Sequence, residues 1–221
     1  MKTLQHSAQR TAFSLIELVV VIAIIALIAT FTVPAATSIL RGSAMTQAQQ
    51  MLTDQISLAR QFALSKNRSV EVRFYQLADP EQPGETAINP STGQFRALQI
   101  FEIVESGVGV PIDKVQRMPS TVIMNQTNQL SSIIGAAGQM QAKDPTNKDP
   151  ELPRGVGKNY KYVAMRFQPD GSTTLGATGS WFLTIHNLSD GATITSPPPN
   201  FFTIQIDPVS GSTKGFRPTA G

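Results

Sequence analysis

The N-terminal part of the chain contains one long hydrophobic segment. Between Phe13 and Leu40 the only charged side chain is Glu17, and every residue of 18–29 is apolar. A helix that is apolar on all sides is typical of a membrane span, because about 20 such residues cover a hydrocarbon core of about 30 Å. The pattern therefore predicts a transmembrane helix over residues 13–40, preceded by a short leader, residues 1–12.

The helical pattern continues beyond this segment, but only one face of the helix stays apolar. Polar residues, many of them glutamines, occupy the opposite face. Steps of three and four residues predict an amphipathic stem helix over 41–66, which packs its apolar face on a following domain and ends near Asn67. The apolar positions are Met45, Ala48, Leu52, Ile56, Ala59 and Ala63.

After Asn67 the hydrophobic period changes from helical to two. Val70, Val72 and Phe74 alternate with polar residues, which predicts a half-buried strand. Strands without long helices between them predict an α+β fold for the whole chain, in which a long N-terminal helix packs on an antiparallel sheet or small β-sandwich formed by residues 67–221. The later predicted strands are 95–104, 121–124, 160–167, 181–185, 202–206 and a short one near Phe216.

Residues 125–158 interrupt the strand pattern. A short helix is possible over 130–137, and Asp-Pro dipeptides follow at 144–145 and 149–150. Proline and aspartate favour turns over regular structure. We therefore interpret this segment as an irregular surface insertion.

Composition narrows the function classes. The 221 residues carry a formal charge of +3, to which the leader contributes Lys2 and Arg10 without any acid. This bias predicts a cytoplasmic N-terminus and an exported domain. There is no cysteine, and the only histidines are His6 and His186, so a Cys/His zinc site is excluded. No catalytic or nucleotide-binding motif is present, and we expect neither enzymatic activity nor a cofactor.

Glu17 is the exceptional residue of the hydrophobic segment. A carboxylate at the centre of a membrane helix costs about 2.5 kcal/mol or more, so it requires a position near the interface or a cationic partner. Cleavage just before Phe13 would create a new α-amino group four residues from Glu17. Staggered copies of the chain could then pair the amine of one copy with the carboxylate of another, which would fix their register.

The residues around this position resemble a known processing signal. AFSLIEL at 12–18 is similar to the prepilin peptidase recognition motif, GFTLIEL in its commonest form, so the chain resembles the type IV pilins and pseudopilins. The resemblance implies cleavage between Ala12 and Phe13, N-methylation of Phe13, and a role for Glu17 in subunit docking. It also implies a helix kink at Pro34. Ala12 replaces the family's usual glycine, which bears on the efficiency of cleavage.

Three other segments carry a second resemblance. Residues 59–74, 167–171 and 202–211 are similar to parts of the H-type minor pseudopilins and their FimT-like relatives, and the chain as a whole also resembles pilin-like cassette proteins of Verrucomicrobia. The resemblance implies a single-pass inner-membrane protein with a periplasmic domain, in a type II secretion pseudopilus or a type IV pilus-related filament. The implied partners are other subunits, prepilin peptidase, the inner-membrane assembly platform and membrane lipid.

Three alternative functional interpretations remain open at this point. Val33-Pro34-Ala35 resembles a secretory cleavage site, although the hydrophobic segment is longer than such signals have and Glu17 serves no purpose there. FimT-like pilins bind DNA through a basic tail, so the resemblance makes Lys214 and Arg217 candidate DNA contacts, although two charges supply little attraction. The third alternative is an exported β-domain unrelated to pili.

Two further candidate sites come from single residue types. Asp144, Asp149 and Glu151 could offer oxygen ligands to calcium, but their spacing matches no defined loop, and a solvated loop is the expectation. His186 lies on the strand face opposite Trp181 and Ile185. Because no partner motif accompanies it, we interpret it as an ordinary surface histidine.

Overall fold

The computed structural model describes residues 14–85, 93–135 and 143–218. Its first element is a 52-residue helix, α1, over Leu15–Lys66. The chain divides into two compact units, Met1–Leu40 and Arg41–Gly221, and α1 contributes to both. The predicted leader, including Lys2, His6 and Arg10, lies outside the described residues.

The stem part of α1 has the predicted buried face. All six predicted positions are fully buried, because they form one stripe that packs on the sheet. The helix ends at Lys66, and Asn67 follows with a φ of 50°. Asparagine tolerates this left-handed conformation better than most residues, which explains why the helix stops where the sequence predicted.

A single antiparallel sheet forms the rest of the larger unit and confirms the α+β prediction, as one sheet and not as a sandwich. Its strand order is β6-β1-β2-β5-β7-β8-β9, and β3 and β4 pair with β2 outside this path. The strands are β1 Val70–Leu77, β2 Gln94–Ile103, β3 Gly109–Pro111, β4 Gln116–Arg117, β5 Val122–Met124, β6 Tyr160–Phe167, β7 Trp181–Asn187, β8 Phe201–Ile206 and β9 Thr213–Phe216. The sequence pattern missed β3 and β4, which are too short to show a period.

One residue pair joins the two halves of the sheet. Between β2 and β5 the register contains only Phe95 opposite Met124, whereas β1 pairs with β2 and with β6 along its whole length. The main core spans this junction and contains the stem stripe together with one face of β1, β2, β6, β7 and β8. Because β2 and β5 pair at only this position, packing of the stem helix and the core side chains stabilises the connection between the two parts of the sheet.

A second cluster covers the other face of β1, and this corrects two predictions. Glu71, Arg73 and Tyr75 are buried, so β1 is buried on both faces and not half-buried. The described residues of the segment 125–158, namely 125–135 and 143–158, are largely irregular, but they are not simply a surface insertion. The short helix α2, Ser132–Gly135, adds Ile133 and Ile134 to the main core. Further along, Leu152 and Val156 pack with Tyr75, Phe101, Tyr160 and Tyr162.

Candidate functional site

The first turn of α1 contains the residues on which the assembly hypothesis depends. The amides of Glu17 and Leu18 donate to the carbonyl oxygen of Ser14 at 3.0 and 3.2 Å, so Glu17 lies in the first helical turn. Its carboxylate makes no ion pair or hydrogen bond with any residue that the structure describes. The predicted processing site, Ala12 and Phe13, lies outside the described residues.

The apolar residues on both sides of Glu17, over 15–30, are exposed on every face of the helix. Leu15 is 81% exposed and Ile25 is 60% exposed. The one hydroxyl among them, that of Thr30, donates back to the carbonyls of Ala26 and Leu27 at 2.8 and 2.9 Å, so it presents no free donor. Within the described ranges, no helix meets the length and apolarity needed for a membrane span. Pro34 lies inside α1, and the kink stays a prediction.

The two basic residues of the DNA hypothesis are near the C-terminal edge strand. Lys214 is exposed on β9, and its Nζ lies 5.1 Å from the centre of the Phe216 ring. Arg217 Nη1 lies 3.5 Å from Thr46 Oγ1 on the stem. Both side chains are thus directed at neighbouring protein groups, and DNA binding by them stays a prediction.

The three acids of the calcium hypothesis do not form a cluster. Asp149 Oδ1 accepts from Arg73 Nη1 at 2.5 Å, and Asp149 Oδ2 accepts from the amide and hydroxyl of Thr146, each at 2.7 Å. The Lys158 ammonium donates to the carbonyls of Thr146, Asn147 and Asp149. In 14–85, 93–135 and 143–218, no three metal-ligating side chains converge. Calcium binding stays a prediction, but protein cations already neutralise the loop around Asp149.

His186 is buried, which corrects the prediction of a surface residue. Its Nδ1 lies 2.9 Å from the carbonyl of Asn187, which can only accept, so Nδ1 carries the proton. Nε2 then accepts from the Asn125 amide at 3.1 Å, and that amide also donates to Ile194. Burial lowers the pKa of His186, and the bond to Asn187 and the charge of Asp190 oppose this shift without reversing it. The histidine is therefore a neutral structural residue.

A buried ionic network is the main polar feature that the sequence analysis missed. Glu71 accepts from Arg73 Nε at 2.6 Å and from Arg166 Nε at 2.7 Å, while Arg73 also binds Asp149. The side chains of Glu71, Arg73 and Asp149 are each less than 10% exposed, whereas Arg166 is 44% exposed. The network joins β1 and β6 to the irregular segment. Its only sequence signal is the Glu-x-Arg spacing on one face of β1.

Aromatic rings complete the environment of Arg73. Its guanidinium carbon lies 4.2 Å from the centre of the Phe101 ring and 4.6 Å from that of Tyr162. Desolvation by burial lowers the pKa of Arg73, but hydrogen bonds to Glu71 and Asp149 outweigh it and raise the pKa overall. The pKa of Asp149 reflects a similar balance. Burial alone would raise this pKa, but hydrogen bonds from Thr146 and Arg73 have the larger effect and lower it. Arg73 and Asp149 therefore both stay charged at neutral pH.

A second buried arginine occupies the same sheet. Arg96, on β2, is 2% exposed and contacts Glu85 Oε1 at 2.6 Å and Asp79 Oδ2 at 3.3 Å. The other oxygen of Glu85 accepts from the Asp79 amide at 2.7 Å. These bonds fix the loop after β1 to the sheet, so we assign the group a structural role.

Comparison with known proteins bears on the N-terminal segment. The prokaryotic N-terminal methylation motif matches residues 8–33. The chain carries the N-terminal signature of type IV pilin-like proteins. The match includes Ala12, Phe13 and Glu17, the residues that the sequence analysis singled out. Among proteins of curated function, none matches the sequence.

Two solved structures resemble the chain over most of its length. The minor pseudopilin EpsH of the Vibrio cholerae type II secretion system is 11% identical, with a TM-score of 0.45 over 81% of this chain and 99% of that chain. The type IV minor pilin FimU of Pseudomonas aeruginosa is 13% identical, with a TM-score of 0.40 over 79% of this chain and 97% of that chain. Scores below 0.5 do not establish a common fold, so the architecture rests on the strand order given above.

Proposed function

We propose that the chain is a structural subunit of a type II secretion pseudopilus or a type IV pilus-related filament. In this proposal, prepilin peptidase cleaves between Ala12 and Phe13, Phe13 is N-methylated, and the helix anchors the precursor in the inner membrane before it enters the filament. The observation that supports it is a methylation motif on the N-terminal part of α1, where the apolar residues of 15–30 are exposed on every face and the one acid among them, Glu17, has no partner among the described residues.

The exposed apolar side chains at the start of α1 need a surface that covers them. Large apolar side chains that stay exposed on every face favour burial in lipid or among other copies of the same helix. An unpaired carboxylate in either environment costs about 2.5 kcal/mol or more. The amine released at Phe13 is a cation that processing itself would supply, and a neighbouring copy would bring it to Glu17. Assembly through this pair requires no catalytic group in the subunit.

Substitution of Glu17 by glutamine tests the pairing. Glu17→Gln removes the charge at nearly constant volume, so insertion should be retained or slightly improved, while recovery in cross-linked oligomers or filaments should fall about tenfold or more, as for the loss of about 1.4 kcal/mol or more. Asp54→Asn is the matched control, because it removes one exposed acid from the stem of the same helix. Equal assembly of the Glu17→Gln and control proteins would refute the pairing mechanism.

Mass spectrometry of the mature N-terminus tests the processing. A protein that begins with methylated Phe13 is the expected result. A protein that begins at Ala36 would replace the proposal with a secretory signal, and a protein that retains residues 1–12 would contradict processing altogether.

A further inference from the structure

A polar cleft lies beside the ionic network, on the face of the sheet that the irregular segment covers. Its walls are β1, β6, the turn 106–109 and the segment 143–149, and they enclose about 260 Å³. This volume lies just below the range of drug-sized ligand sites, so it suits one small group and not an extended ligand. Four basic and two acidic residues line it, for a formal charge of +2.

The two acids in the cleft wall already accept hydrogen bonds through both of their oxygens. Both oxygens of Glu71 accept from arginine nitrogens, Arg73 Nε and Arg166 Nε. Both oxygens of Asp149 are likewise bonded, one to Arg73 and the other to Thr146. These acids hold the arginines in place and cancel their formal charge, so they do not make the cleft attractive to metal ions.

The donors in the same wall remain available. Lys143 and Lys148 are exposed, and their ammonium groups bond to no residue that the structure describes. Arg73 is less than 10% exposed, yet no described residue accepts from its Nη2. That nitrogen lies 3.3 Å from the point where a Cβ on residue 109 would stand, so Gly109 leaves it room on the cleft side. The cleft thus combines a fixed, buried guanidinium with two unpaired ammonium groups.

We propose that this cleft binds a phosphate-type oxyanion, either free or as the terminal phosphate of a small organic molecule. Charge-assisted hydrogen bonds from Lys and Arg are the usual means by which proteins hold such groups, and a site that has donors but no free carboxylate selects for anions. The site is separate from α1 and does not rest on the proposed assembly function.

Thermal unfolding of the full chain in neutral detergent, followed by the fluorescence of its single tryptophan, Trp181, measures the binding. Ionic strength is held constant while chloride is replaced by inorganic phosphate, because screening alone shifts stability. A ligand that binds only the folded state raises the unfolding temperature with a saturable dependence on its concentration. Lys143→Ala/Lys148→Ala should weaken the apparent affinity for phosphate about tenfold. Lys66→Ala/Lys114→Ala, which removes two exposed lysines outside the cleft, should leave it within about twofold.

The possible results distinguish phosphate binding at this cleft from a general effect of ions on the unfolding temperature. Saturable stabilisation that depends on Lys143 and Lys148 supports the proposal, and tighter binding of glycerol 3-phosphate than of inorganic phosphate would identify an organic phosphate as the ligand. An absence of stabilisation, a linear response to every anion, or an equal loss in the Lys66/Lys114 control would overturn it. A nuclear magnetic resonance titration that leaves the amides of 106–109 and 143–149 unshifted would overturn it independently.

Discussion

Replacement of Arg73 is the sharpest test of how the irregular segment is held on the sheet. Arg73 bonds Glu71 at 2.6 Å and Asp149 at 2.5 Å, and all three side chains are less than 10% exposed. Arg73→Met keeps much of the side-chain volume but leaves two carboxylates without their shared cation. Removing one partner of a buried ion pair typically costs 3–5 kcal/mol, roughly, because the remaining charge stays desolvated.

Two other sets of contacts increase or limit the loss of unfolding free energy expected for Arg73→Met. The stacking of the guanidinium between Phe101 and Tyr162 adds about 0.5–2 kcal/mol that methionine only partly replaces. In the other direction, Glu71 keeps Arg166 and Asp149 keeps Thr146 as partners, which limits the loss. We therefore expect Arg73→Met to lower the free energy of unfolding by about 3–4 kcal/mol.

Urea unfolding, monitored by tryptophan fluorescence, provides the measurement, and two variants serve as controls. Arg166→Met removes a bond of 2.7 Å from a side chain that is 44% exposed, and should cost only about 1 kcal/mol. The triple variant Glu71→Gln/Arg73→Met/Asp149→Asn removes the stranded charges, so it should recover about 2 kcal/mol relative to Arg73→Met alone. The reasoning fails if Arg73→Met costs no more than Arg166→Met, or if the triple variant recovers nothing.

Two other predictions concern the stem and the buried histidine. Leu52→Ala should lower the free energy of unfolding by about 2–5 kcal/mol, because Leu52 is fully buried in the stem stripe. The control Leu64→Ala, at a position that is 44% exposed, should lower it by less than about 1 kcal/mol. The same urea assay measures both. Since burial lowers the pKa of His186 below its ordinary value near 6.5, its contribution to stability is complete above that pH and is lost as the pH falls toward the folded-state pKa. The difference in urea midpoint between pH 7.5 and pH 5.5 should therefore be smaller in His186→Gln than in the native chain, and an unchanged difference would contradict the neutral, buried assignment.

The polar loop around Asp149 illustrates why composition alone suggested calcium. Acidic residues and prolines in an irregular segment resemble a cation-binding loop when only their order is known. In the folded chain, the Lys158 ammonium bonds the carbonyls of this loop, and Arg73 bonds the carboxylate of Asp149. The protein itself therefore supplies positive charge to this acidic loop.

Elements whose faces have a regular period could be predicted from the sequence alone. The stem stripe, the end of α1 at Lys66, the bounds of β6 and the start of β7 follow from local patterns, because a helix or strand with one buried face repeats its apolar residues at 3.6 or 2. The predicted strand 181–185 is two residues shorter than β7 at its C-terminal end. The N-terminal signature is also local, since composition and the offset between Phe13 and Glu17 define it completely.

The identity of the buried polar residues, in contrast, depends on contacts between distant parts of the chain. Glu71 and Arg73 occupy the predicted outer face of β1, and that face is covered by residues 143–158, which have no period of their own and lie about 75 residues away. His186 is buried in the same way, by Asn125 and the loop at Ile194. Long-range packing of irregular segments leaves no periodic mark on a sequence, because the partners that satisfy a buried charge or imidazole are brought together only when the chain folds.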